Sequence, residues 1–303
     1  MRKSVVSLMV MLLFVATLMS NLVYAYVLIP ESGTYVSLPG SPSESIVTEI
    51  SGVKFYDSNA NGKRDEGEAG IEGWEILLYK IVDGNWMLLF STTTGSEGRY
   101  TFEAEGGIYR VVEVVSSEAW IQTAPLGGYY EINATLGGTY SGNDFGNVCL
   151  TPGTGGKTMG FWGSKNGQAT ITSDDVTALN RLNLYTPNGW NYPKFDTTDL
   201  AKAKTQIKNY LRNATAADMC WMLSAQLIAT RLNVLHGFLS GSTIVYVGPS
   251  TYVTSGFISI DEIMANADAA LLPGGTRADQ EYWKNLLDWV NNNWLSFVIP
   301  NPP

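Results

Sequence analysis

The sequence contains very few of the residues that most often carry catalysis. Only one of its 303 residues is histidine and only two are cysteine. The single histidine, His236, has no cysteine, serine motif or paired acid at a spacing that would accompany it in a catalytic site. It follows a long apolar helical pattern, and a cation is electrostatically favoured at a helix C-terminus. The sequence therefore predicts a capping or surface role for His236, and no enzyme activity.

Charged residues are also scarce, at 16% of the chain, and acidic residues outnumber basic ones by 28 to 19. The formal net charge is −9. An acidic surface argues against nucleic acid and against anionic lipid headgroups as partners. No second long hydrophobic run follows the N-terminal one, so no membrane span is expected after export.

The N-terminal residues 1–25 have the features of a signal peptide. Arg2 and Lys3 precede an apolar run from Val5 to Val23, and Val23-Tyr24-Ala25 is an acceptable cleavage site. An uncleaved N-terminal anchor stays open, because the run is nearly long enough to cross a bilayer. Cleavage would leave 303 − 25 = 278 residues with a net charge of −9 − 2 = −11, enough for about two domains. We expect an extracellular or cell-surface location.

Cys149 and Cys220 would then lie in an oxidising compartment, and the sequence predicts a disulfide between them. In the loop-entropy model, closing a loop of this size stabilises the fold by about 4 kcal/mol. The alternative is two separately buried thiols.

The most specific chemical pattern is the run from Asp57 to Glu68. Its oxygen-bearing side chains stand at positions 1, 3, 5, 9 and 12, with Gly62 at position 6, which is the spacing of an EF-hand calcium loop. The expected ligands are Asp57, Asn59, Asn61, the Lys63 carbonyl, Asp65 and Glu68. Strand-like runs flank the loop, so the ion would have a structural role. The alternative is a solvated turn, which Asn, Asp and Gly favour for local reasons.

Residues 46–147 show short apolar runs separated by regular turn signals. Ile76–Val82 and Trp86–Thr94 flank Asp83-Gly84-Asn85, which predicts a hairpin. Further strand-like runs follow at Tyr100–Ala104, Tyr109–Val115 and Tyr129–Leu136. About seven strands at this spacing predict a two-sheet β-sandwich.

Several motifs in this region carry a family resemblance. They are Gly52-Val53-Lys54-Phe55-Tyr56-Asp57, Asn59-Ala60-Asn61-Gly62, Asp65-Glu66-Gly67-Glu68, Gly70-Ile71-Glu72-Gly73-Trp74 and the closing Asp144-Phe145-Gly146-Asn147. Over residues 51–147 the sequence resembles an SdrD B-like domain, one of the prealbumin-like sandwiches related to collagen-adhesin B-type repeats. The resemblance implies a calcium-rigidified spacer or presentation module outside the cell, without catalysis.

Related B-type domains sometimes carry a Lys–Asn isopeptide cross-link promoted by a glutamate. Lys54, Glu113 and Asn147 are the one plausible trio for such a bond in this sequence. Lys54, however, lies between Val53 and Phe55 on a predicted strand. If those two side chains face the core, alternation places Lys54 on the outer face. The pattern therefore favours a surface lysine over a cross-link.

After a predicted linker at residues 148–156, the periodicity of residues 157–299 becomes helical. The pattern predicts a long apolar helix over 216–236, a capping box of Ser259 and Glu262, and a final helix over 278–297. A short hairpin is expected from Thr243–Val247 and Thr251–Thr254. The segments Gly160–Gly167, Met222–Leu227 and Asn291–Asn293 are similar to an uncharacterised module of exported bacterial and archaeal proteins. The predicted fold class is therefore multidomain β + α.

These features predict an exported, calcium-stabilised protein of the cell surface or extracellular matrix with a structural or adhesive role. Its expected partners are other surface or matrix components, glycans, or a second copy through strand exchange by the N-terminal arm at 26–45. One alternative is a carbohydrate-binding protein that uses exposed aromatics, although helical spacing favours core roles for them. A secreted hydrolase is the less favoured alternative. The aromatics in question are Trp162, Trp190, Trp221, Trp283, Trp289 and Trp294.

Overall fold

A computed structural model describes residues 47–115, 117–185 and 194–301 of the chain. The predicted signal peptide at 1–25 and the predicted arm at 26–45 lie outside these residues. Within the described ranges, no helix is both long and apolar enough to cross a membrane.

The first part of the chain is a β-sandwich, as predicted. Its strands are Thr48–Tyr56 (β1), Glu75–Val82 (β2), Asn85–Thr93 (β3), Arg99–Ala104 (β4), Gly107–Glu113 (β5), Trp120–Ala124 (β6), Tyr129–Ala134 (β7), Thr139–Tyr140 (β8) and Phe145–Pro152 (β9). One sheet has the order β3-β2-β5-β7, and the other contains β9-β1-β4, with β6 on β9 and β8 on β1. The core between the two sheets includes Ile50, Ile76, Tyr109 and Phe145.

The second part is mainly helical, as predicted. Its helices are Met159–Trp162 (α1), Lys165–Thr170 (α2), Ser173–Leu179 (α3), Leu200–Asn213 (α4), Met219–Leu235 (α5), Ile260–Ala269 (α6) and Arg277–Asn291 (α7). The central helix α5 is apolar nearly all round, because Leu223 and Leu227 face one core while Ala225 and Ile228 face another.

Three short strands accompany these helices: Ile244–Tyr246 (β10), Phe257–Ser259 (β11) and Ser296–Val298 (β12). The prediction that 251–254 forms the second hairpin strand is wrong, because Ser250 closes a turn there by accepting hydrogen bonds from the backbone N–H of Tyr252 and Val253. The strand that pairs with β10 is β11. The last helix also ends earlier than expected, since Asn293 has a positive φ and β12 follows it.

The two parts share one sheet. The first half of β9 pairs in parallel with β1, and its second half pairs with β12. Residues 148–152 of the predicted linker therefore lie in a strand. A small apolar cluster of Ala60, Val148, Phe257 and Val298 joins the predicted calcium loop to the helical part. The Tyr56 hydroxyl adds a hydrogen bond to the carbonyl of Ile299.

Candidate functional site

Lys54 is fully buried, so the expectation that it is a surface residue is wrong. The strand β1 is covered on both faces. Val53 and Phe55 pack against Ala124 on one face, and Ile50 on the other face lies in the sandwich core. Because side chains alternate along a strand, Lys54 shares the Ile50 face and enters the core.

Inside the core, Lys54 pairs with Glu113 at the end of β5. The distance from Lys54 Nζ to Glu113 Oε2 is 3.1 Å, and both side chains are fully buried. The same Nζ donates to the carbonyl of Phe145 at 3.2 Å and lies 4.6 Å from the centroid of the Trp74 ring.

Burial lowers the pKa of Lys54 to about 8. Burial also raises the pKa of Glu113, against the opposing effect of the Lys54 charge. Both shifts favour the neutral amine and the neutral carboxylic acid.

Asn147 on β9 completes this cluster. The parallel register pairs Lys54 with Phe145 and Tyr56 with Asn147, so Lys54 and Asn147 lie on the core side of adjacent strands. Asn147 lies close enough to the Glu113 carboxylate to lower its pKa. Even so, neither atom of its buried amide has a partner of hydrogen-bond geometry among the described residues. Leaving a buried amide without a hydrogen-bond partner lowers the stability of a fold by roughly 1–3 kcal/mol. Packing alone therefore does not explain why this amide is buried.

The cluster contains the parts needed for an amide-forming reaction. The Lys54 amine is a nucleophile when neutral, the Asn147 amide carbon is an electrophile, and Glu113 can move a proton between them. The site is closed to water, because all three residues are buried. The structure thus brings together the trio named from the sequence.

The predicted calcium loop folds back on itself around its acidic side chains. The two carboxylate oxygens of Asp57 accept hydrogen bonds from the backbone N–H groups of Asn61 and Gly62, at 3.0 and 2.7 Å. The Asp65 carboxylate accepts from the side-chain amides of Asn59 and Asn61, at 2.7 and 2.6 Å. These two bonds lower the pKa of Asp65, which keeps it ionised at neutral pH.

Glu68 closes the loop. Its Oε1 accepts from the backbone N–H of Ser58 at 2.8 Å, and its Oε2 accepts from that of Asp65 at 3.0 Å. Gly62 has a φ of 75°, a left-handed conformation that glycine adopts without strain. The side chains at positions 1, 3, 5, 9 and 12 therefore all turn into one loop.

This donor set fits calcium, which prefers hard oxygen ligands from carboxylates, amides and carbonyls. Within the described residues, no three His, Cys, Asp or Glu side chains are gathered closely enough to hold a metal by themselves. An ion would therefore also need the amide oxygens of Asn59 and Asn61 and the backbone carbonyl of Lys63. These oxygens are the ones that the sequence pattern supplies.

The predicted disulfide is not formed, because Cys149 and Cys220 are both free thiols. Cys149 lies on β9, where it pairs with Trp120 of β6. Cys220 lies in the first turn of α5, and its thiol contacts Gln280 Oε1 at 3.1 Å. Each cysteine is held by a different part of the fold, and burial raises the pKa of both thiols.

His236 and several tryptophans are the residues that the sequence offers for catalysis and for sugar binding. His236 caps the end of α5, as predicted, and its Nε2 lies 3.0 Å from Asp175 Oδ2. Trp162 and Trp283 are buried in the helical cores. Trp289 and Trp294 are exposed, and Trp190 lies outside the described residues.

The comparison with known families identifies the first domain. Residues 48–141 match the family model of the SdrD B-like domain, which confirms the resemblance seen in the sequence. The match covers less than half of the chain. No curated protein matches the chain.

Among solved structures, the shaft pilin SpaA from Lactobacillus rhamnosus GG is similar at 11% identity and a TM-score of 0.28. The similarity covers 35% of this chain and 52% of the pilin. A double mutant of that pilin is similar at 13% identity and a TM-score of 0.26, over 35% of this chain and 51% of the mutant. The chain thus spans about half the length of the pilins that it matches.

Proposed function

We propose that the chain is an exported structural or adhesive protein of the cell surface, in which the SdrD B-like domain is a cross-linked, calcium-stabilised spacer. The observation that carries the proposal is the buried cluster of Lys54, Glu113 and Asn147. The family match supports a structural or adhesion-related role at the cell surface. The signal-peptide pattern and the calcium-loop spacing support export and calcium binding.

In the proposed reaction, neutral Lys54 Nζ attacks Cγ of Asn147. Protonated Glu113 donates a hydrogen bond to the amide oxygen and stabilises the charge that develops there. Glu113 then carries one Nζ proton to the Asn147 nitrogen, which leaves as ammonia. A new Nζ–Cγ bond has replaced the Cγ–Nδ2 bond, and Glu113 has recovered its proton. The step needs no oxidant and no other reactant.

The position of this bond explains what it would do. Lys54 lies on β1, the first strand of the domain, and Asn147 lies on β9, through which the chain leaves it. When the two ends of the chain are pulled apart, a covalent bond between these strands would bear the force. The segment between Lys54 and Asn147 would then not be loaded. The loop that it closes spans 147 − 54 = 93 residues, which then cannot be pulled out.

Single-molecule pulling on the two ends of the mature chain tests this function. Fully extended, 93 residues measure about 300 Å at about 3.3–3.6 Å per residue. The wild-type chain is expected never to release this length, while the Asn147→Ala variant is expected to release it as the sandwich unfolds. Release of the same length by the wild type would contradict the proposal.

The same variant gives a prediction for pH dependence, because it retains the Lys54–Glu113 pair but has no amide to react. The pKa of Lys54 is about 8 when folded, against 10.5 as the ordinary value. Between these values the unfolded chain binds more protons than the folded one, so stability rises with pH. Urea denaturation of Asn147→Ala between pH 8 and 10.5 is expected to show this rise.

The control for this prediction is Lys54→Met in the Asn147→Ala background. It removes the titrating amine and leaves every other lysine in place, so the part of the rise that belongs to Lys54 is expected to disappear. Equal slopes of stability against pH in the two variants would show that Lys54 does not titrate in this way.

A further inference from the structure

The ring of Trp74 lies against the reacting nitrogen of the proposed cross-link. Its face lies over Lys54 Nζ, and 4.6 Å separate that nitrogen from the ring centroid. Trp74 is buried and belongs to the core between the two sheets. The reaction proposed for Lys54, Glu113 and Asn147 makes no use of this ring, although it is in contact with the atom that forms the new bond.

The Trp74 ring is held in place from two sides. The backbone N–H of Trp74 donates to Thr94 Oγ1 at 2.9 Å, and its carbonyl accepts from the backbone N–H of Thr94 at 2.9 Å. Trp120 packs against the indole in an edge-to-face arrangement, with 5.1 Å between the ring centroids. Because the ring does not have to move during the reaction, any stabilisation that it provides is preorganised.

The Lys54 nitrogen becomes positively charged as the cross-link forms. When its lone pair bonds to Cγ of Asn147, Nζ has four bonds and a positive charge, and the carbonyl electron pair moves to the amide oxygen. The charge lasts until Nζ gives up a proton to Glu113. In a buried site without water such a charge is costly. The carbonyl of Phe145, which accepts from Nζ at 3.2 Å, offsets part of this cost.

We infer that the face of the Trp74 ring stabilises the positive charge on Lys54 Nζ while the cross-link forms. The inference rests on the proposed function, because it concerns the same reaction. The π electrons give an indole face a negative potential, and among aromatic side chains Trp attracts a cation most strongly. The attraction is weak for the neutral amine and strong for the charged nitrogen, so it lowers the barrier to bond formation. Glu113 then stabilises the charge on oxygen, and Trp74 the charge on nitrogen.

The indole N–H is a second group through which Trp74 can act. Nε1 is buried and has no partner of hydrogen-bond geometry in the described part of the chain, although it lies close enough to Glu113 to lower the pKa of that carboxyl. Fluorine on the ring makes the N–H a stronger donor, whereas it removes the negative potential of the ring face. The two roles therefore predict opposite responses to fluorination.

Fluorinated tryptophan at residue 74 tests the inference with almost no change in side-chain shape. The mature chain is made by cell-free synthesis with a tryptophan that carries one, two or three fluorine atoms at this position alone. Intact mass spectrometry of acid-quenched samples follows the loss of ammonia with time. The rate constant is expected to fall with each added fluorine, by about tenfold in total. The matched control places the same analogues at Trp120, which packs on the Trp74 ring rather than on the amine, and the rate is expected to stay unchanged.

The folding rate of the Asn147→Ala chain, measured by fluorescence, identifies conditions in which ammonia loss is slower than folding. Circular dichroism confirms that each labelled chain is folded. Rates that are equal across the series at residue 74, or that rise with fluorination, would overturn the inference and leave the cross-link in place. A wild-type chain that never loses ammonia would overturn the proposed cross-link itself, and the inference with it.

Discussion

Asn147→Ala is expected to lower the free energy of unfolding of the first domain by about 4–5 kcal/mol, the largest effect that the structure predicts for a single substitution. The reason is the loss of a covalent loop of 93 residues. Cross-linking a loop of about 100 residues stabilises a fold by about 4.7 kcal/mol in the chain-entropy model. For a domain of this size the change corresponds to a drop in melting temperature on the order of 20 °C, which calorimetry measures.

Two controls separate the cross-link from other effects of this substitution. Glu113→Gln keeps the Asn147 amide but removes the acid, so it is expected to leave the bond unformed and to lower stability as well. Asn133→Ala makes the same chemical change at an exposed position on β7, where a small effect is expected. Equal melting temperatures for the wild type and Asn147→Ala would argue against a covalent bond.

Calcium binding is expected to produce the second-largest change in the stability of the chain. If the ion binds only the folded loop, a hundredfold excess over the dissociation constant raises stability by about 2.7 kcal/mol. The physical reason is that the ion offsets the mutual repulsion of the Asp57, Asp65 and Glu68 carboxylates. Calorimetry of the mature chain with calcium and with a chelator measures the difference.

The loop itself provides a matched pair of variants for the calcium prediction. Asp65→Ala removes the ligand at position 9, and the calcium-dependent rise is expected to be lost. Glu66→Ala removes the neighbouring exposed carboxylate, which has no ligand position in the pattern, and the rise is expected to remain. A wild-type melting temperature that does not respond to calcium would rule out the assignment.

The sandwich was predictable from the sequence because its strands and turns follow one another at regular intervals. The orientation of Lys54 was not, since alternation defines two faces of a strand but not which face is inward. β1 is covered on both sides, so the apolar Val53 and Phe55 could not be used to identify the core. A usable signal was nonetheless present: Ile50 and Lys54 are four residues apart and therefore share a face.

Errors elsewhere have equally specific causes. The two cysteines could be counted from the sequence, but the distance between them depends on how the helical part packs against the sandwich. The second strand of the hairpin was misplaced by a few residues, because 251–254 has strand-like composition while Ser250 turns the chain. The continuity of β9 across the two parts could not be predicted, because the run Thr151-Pro152-Gly153 is typical of a linker.

The intact mass of the secreted mature chain is the most direct test of the proposed cross-link. Once its N-terminus has been sequenced, the account predicts a mass lower than the encoded one by a single ammonia. Tandem mass spectrometry should then show one peptide pair joined through Lys54 and Asn147. A chain of full encoded mass, with Lys54 and Asn147 recovered on separate unmodified peptides, would contradict the account.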